Sequence, residues 1–117
     1  MIGRAMEKWP SVALRRVVDA PIEAWSTREF ALFEGTRCLV GHAAGMRPNY
    51  RVEDIDRAFE LLKGGWKVPF GFDKLCDRFG LPRMVRAVKI RALKVLDARA
   101  ASEAAPSSTD SAAVSVA

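Results

Sequence analysis

Two of the 117 residues are spaced as a reactive pair would be. Cys38 and His42, in TRCLVGHAAG, stand four apart and on a helix would share one face. A thiol beside an imidazole suits either a metal site or a nucleophile with its base. A structural zinc takes four ligands, however, and the whole chain holds only two cysteines and one histidine. No third group is placed to orient the imidazole. The expectation is therefore a buried thiol beside a hydrogen-bonded core histidine, with no metal, no cofactor and no enzymatic activity.

Five basic side chains make a second constellation. Arg83, Arg86, Lys89, Arg91 and Lys94 fall within 12 residues. Residues 81–100 carry six basic groups against one acidic group, while residues 51–80 are balanced at six of each. The net charge of +5 is therefore localised rather than spread. Localised cations suit a phosphate backbone, because each neutralised phosphate releases counterions. A solvated helix surface would present the same pattern.

The elements that must position these cations are two helices, expected at 71–79 and 82–99. At about 100° per residue, Phe72, Leu75, Cys76 and Phe79 form one stripe, with Asp73, Lys74, Asp77 and Arg78 opposite. Gly80 suits a left-handed helix end and Pro82 the first turn of the next helix. On that next helix Met84, Val85, Val88, Ala92, Val95 and Leu96 occupy an arc of about 120°. The basic residues take most of the remainder, with Ile90 among them and Leu93 at the boundary.

The stretch 72–90 resembles a prokaryotic helix-turn-helix DNA-binding motif. Cys76 is the small residue four before the turn glycine, Gly80. Leu75, Phe79 and Leu81 occupy the apolar places around that glycine. Val85 and Val88 follow it by five and eight positions, where the family pattern has roughly six and nine. The resemblance implies DNA binding in transcription regulation, with Arg83 and Arg86 reaching base edges and Lys89, Arg91 and Lys94 on phosphates.

The rest of the chain reads as further helices. Pro10 and Ser11 start one to Asp19, with Ala13, Leu14, Val17 and Val18 on one face, and Ala20-Pro21 ends it. Ser26 or Thr27 caps another over 27–45, with Gly35 as a break point. A helix over 52–63 places Val52, Ile55, Ala58, Phe59 and Leu62 on one face, has acids near its N-terminal end, and stops at Gly64-Gly65. Met1 to Lys8 carries no pattern. The aromatic residues Trp66, Phe70 and Phe72 plug the join between helices. From Ala100 the chain is Ala/Ser-rich with Pro106 and cannot bury much, so a disordered tail is expected.

No stretch alternates with period two. The fold expected is an all-α compact bundle of about five short helices, residues 1–99, followed by the tail 100–117. No run is apolar enough to span a membrane, the N-terminus lacks a signal-peptide core, and two cysteines make no disulfide framework; a cytoplasmic chain is expected. Its expected partner is nucleic acid, duplex DNA foremost. An acidic protein partner, or a homodimer through Ile90 and Leu93, is the competing expectation.

Overall fold

The computed structural model describes residues 2–27, 31, 35–62 and 68–116, with side chains omitted at 2–3, 68–70 and 104–116. Its helices are α1 (Ile2–Glu7), α2 (Ser11–Asp19), α3 (Leu39–Ala44), α4 (Val52–Leu61), α5 (Val68–Phe79) and α6 (Leu81–Val116), with a single 3₁₀ turn at Ile22–Ala24. Among the described residues there is no strand, only one isolated parallel bridge between Trp25 and Arg37. The chain is all-α.

Why these residues form these elements is local. Pro10 precedes α2 in an extended conformation, and Ala20, before Pro21, closes it. Alternation at helical spacing puts Ala13, Leu14 and Val17 inside α2. In α4 the backbone N–H of Arg51 donates to Asp54 Oδ2 at 2.9 Å, which fixes the first turn. Between α5 and α6 the only residue outside a helix is Gly80, at φ +92°. Its N–H donates to the Cys76 carbonyl at 2.8 Å, a left-handed close that a side chain would strain.

Packing is organised by α6, which lies against α2, α5 and α1, while α2 also packs on α3. Val85, Val88, Ala92, Val95 and Leu96 are buried, the stripe expected of that helix. They meet Phe72 and Cys76 of α5, Leu14 and Val17 of α2, and Met6 and Trp9 in one core. Full burial of a side chain such as Phe72 contributes about 1.5–3 kcal/mol.

Three expectations are corrected. The N-terminal octet is not patternless: it folds as α1, and Met6 and Trp9 are fully buried. Of the helix expected over 27–45, the described residues are helical only in the six-residue α3, and residues 27, 31 and 35–38 are not. The Ser26 N–H donates to the Arg37 carbonyl at 2.8 Å, and the Arg37 N–H donates to the Ala24 carbonyl at 2.9 Å. Those two bonds form the isolated bridge of Trp25 with Arg37 and keep Arg37 out of a helix. Residues 28–30 and 32–34 of that stretch, and Trp66 of the expected aromatic plug, lie outside the described residues. Helix α5 begins at Val68 rather than 71. The helical backbone of α6 continues to Val116, and the first tail side chains, Ala101, Ser102 and Glu103, are all exposed, in keeping with a segment that has nothing to bury.

Candidate nucleic-acid interface

The inward stripe of α6 fixes where its other side chains point, and the six cations of 81–100 divide into three kinds. Arg83, Arg86 and Lys94 are exposed. Among the described residues none of the three makes an ion pair or hydrogen bond. At about 100° per residue they sit within about 80° of one another, with Ile90 in the same arc and Leu93 at its edge. Ile90 and Leu93 keep 48% and 42% of their surface exposed, so the outward face is cationic with apolar side chains between the charges. Asp97 is the one carboxylate of that stretch.

The second kind faces the N-terminus. Arg91 is ion-paired with Glu7 through its Nη2. Arg99 donates from Nη1 to Ser11 Oγ at 2.9 Å, and from Nη2 to the carbonyls of Glu7 at 2.9 Å and Trp9 at 2.6 Å. These carbonyls end α1 and begin the link to α2, where intrahelical donors run out. Arg91 and Arg99 thus tie the first two helices to the last. The guanidinium of Arg91 is engaged by a carboxylate of the same chain, so the phosphate contact expected of it would compete with that pair.

Lys89 is the third kind. It is half-buried, and its charge is felt at His42.

His42 itself sits in a structural cluster. Its Nε2 lies 2.7 Å from the Ala24 carbonyl, which only accepts, so Nε2 carries the proton. The imidazole packs on Trp25 with ring centroids 4.5 Å apart, and Trp25 Nε1 donates to the Ala20 carbonyl at 3.1 Å. Burial pushes the imidazole below its ordinary value of 6.5; the Ala24 hydrogen bond opposes this, and the charges of Arg37 and Lys89 add to it. Cys38, buried, caps the start of α3, and its carbonyl takes the His42 N–H at 2.9 Å. Neither Cys38 nor Cys76 is in a disulfide. Among the described residues no group of three or more His, Cys, Asp or Glu is placed to hold a metal.

Two arginines that sequence reading passed over close this cluster. Arg16 Nη1 donates to the Ala43 carbonyl at 3.2 Å, and Arg37 Nε to the Met46 carbonyl at 2.6 Å. Both meet the C-terminal end of α3, where unpaired carbonyls and the helix dipole favour cations. A Cβ on Gly45 would lie 3.1 Å from the Arg16 guanidinium carbon, so the glycine leaves room for that clamp.

The connection of α5 to α6 bears on the helix-turn-helix resemblance. One residue, Gly80, separates the helices, where that motif uses a turn of roughly 3–4 residues. The one-position shortfall at Val85 and Val88 is thus a physically shorter turn. No family model, curated protein or solved structure matches the chain.

Proposed function

We propose that the chain binds nucleic acid, duplex DNA foremost, through the outward face of α6. The observation that carries this reading is the exposure of Arg83, Arg86 and Lys94, without protein partners among the described residues, on a helix whose opposite side is locked into the core. Arg83 and Arg86 belong to the first two turns of α6, the end of a recognition helix that approaches base edges. Lys94 lies two turns on, at the reach of a phosphate. A regulatory role follows if the contact is sequence-selective. Three phosphate neutralisations correspond to a slope of log K on log salt of about −2.7. Binding to a random duplex measured at several salt concentrations tests this. A slope near zero, or unchanged binding by Arg83→Ala with Arg86→Ala, refutes the reading.

Ile90 and Leu93 support a second reading. Two large apolar side chains, each more than 40% exposed on the same face, suit a second copy of the chain or an acidic protein partner. Ile90→Glu then disperses an oligomer seen by light scattering while helicity by circular dichroism stays constant.

A further inference from the structure

Away from α6, the loop after α3 and the outer side of α4 enclose a groove of ≈ 440 Å³. That volume is within the range of about 300–1,000 Å³ typical of small-ligand sites. Its charged lining is uneven. Arg47, Arg51 and Arg57 all face it, against a single carboxylate, Asp54. That carboxylate is partly spent: Asp54 Oδ2 accepts the Arg51 backbone N–H at 2.9 Å, and Oδ1 is 3.9 Å from Arg57 Nη1. An ion pair at that distance between side chains 80% and 44% exposed neutralises little. Arg47 and Arg51 have no ion-pair or hydrogen-bond partner for their guanidinium groups among the described residues. Besides Asn49, Gly45 and Met46, the rest of the wall is formed by the apolar side chains of Ala44, Ala58 and Leu61.

We infer that this groove is a binding site for a small organic phosphate, with the phosphate held by the three guanidinium groups and the apolar body laid on Ala44, Ala58 and Leu61. Guanidinium forks match a phosphate bidentately, and a dianion satisfies several at once. The apolar wall gives the organic part something to cover, which distinguishes the site from a merely basic surface. Nothing in this inference depends on α6 or on nucleic-acid binding.

The test uses phenyl phosphate and inorganic phosphate, each titrated into the full chain at fixed ionic strength and followed by NMR. The expected result is saturating shifts at the Arg47, Arg51 and Arg57 side-chain N–H groups and at the Ala44, Ala58 and Leu61 methyls. Phenyl phosphate should bind about tenfold tighter than inorganic phosphate, reflecting its buried ring. Arg47→Ala with Arg51→Ala should weaken it about tenfold while leaving the spectrum otherwise folded, since the Arg51 backbone N–H that meets Asp54 is retained. Arg83→Ala with Arg86→Ala should leave phenyl phosphate binding unchanged. Equal affinity for the two phosphates, shifts that sodium chloride reproduces, an unaffected Arg47/Arg51 variant or a weakened Arg83/Arg86 variant would each overturn the inference.

Discussion

The two flanks of α6 carry the same kind of side chain and do different work. On the flank turned to the N-terminus, Arg91 and Arg99 reach Glu7, Trp9 and Ser11 and close the first two helices onto the last. On the flank turned outward, Arg83, Arg86 and Lys94 extend into solvent. Composition cannot tell these apart, because charge alone does not decide between a clamp and a contact surface. What decides is angular position on the helix and whether the chain supplies unsatisfied carbonyls opposite. The flank facing the end of α1 has such carbonyls, which Arg99 takes up, while Arg91 beside it meets the Glu7 carboxylate.

The largest expected effect separates the flanks by stability. Arg99→Ala removes three hydrogen bonds from a charged donor, two of them to backbone carbonyls, one at the end of α1 and one in the link to α2. Bonds to charged groups contribute about 1.5–3 kcal/mol each at most, and these are partly exposed, so a loss of about 2 kcal/mol is expected. Urea denaturation measures it. A midpoint unchanged from the parent chain would mean that the clamp is ornamental and the comparison fails.

The outward flank should respond in the opposite sense. Arg83→Ala with Arg86→Ala is expected to change stability by no more than about 0.5 kcal/mol. The same pair should lower the salt slope of duplex binding by about 1.8, the share of two phosphate contacts. Stability loss without a change of slope would reverse the assignment of the two flanks.

How much of this division was legible beforehand depends on the range of the interactions. The inward stripe of α6 and the single-glycine close at Gly80 follow from spacing within one helix, and both were readable. Arg99 was not, because its acceptors lie 88–92 residues away in sequence and no local pattern announces them. The N-terminal helix was missed for a related reason. Met6 and Trp9 stand three apart, a weak helical signal in six residues, and only docking against the rest of the core makes them its fully buried members. The helix expected over 27–45 is not formed at residues 35–38, where local propensity lost to pairing: Arg37 exchanges backbone bonds with Ala24 and Ser26, on either side of Trp25. The five cations were legible as a set, but the half-burial of Lys89 and the pairing of Arg91 with Glu7 were not, because both are tertiary facts.

Lys89 stands between the flanks, and its position can be read through His42. A folded-state value below 6.5 means that the unfolded chain takes up the proton first as pH falls. The contribution to stability is therefore full above about 6.5 and is lost as pH drops through that value towards the lower folded-state one. Melting temperature should fall over that window, and His42→Gln, which keeps a donor for the Ala24 carbonyl but does not titrate, should fall less. Lys89→Gln removes one of the charges that disfavour the imidazolium, so an NMR titration should place His42 higher than in the parent chain. An unmoved titration would put Lys89 with the outward cations after all.

Arg91 offers the smallest effect and the sharpest boundary. Its partner Glu7 is 53% exposed and its own side chain 37% exposed, so solvent screens the pair. Exposed pairs contribute about 0.2–1 kcal/mol, and Arg91→Ala should cost an amount in the lower half of that range. Because the guanidinium already has its carboxylate, a nucleic acid would have to break that pair before gaining a phosphate contact. The two exchanges nearly cancel, so the salt slope of duplex binding should be the same in Arg91→Ala as in the parent chain. Glu7→Gln sharpens the point: freeing Arg91 from its carboxylate should steepen the slope by up to about 0.9 if the guanidinium can then reach a phosphate. A slope that already falls with Arg91→Ala would move the boundary between clamp and contact surface one residue further round the helix.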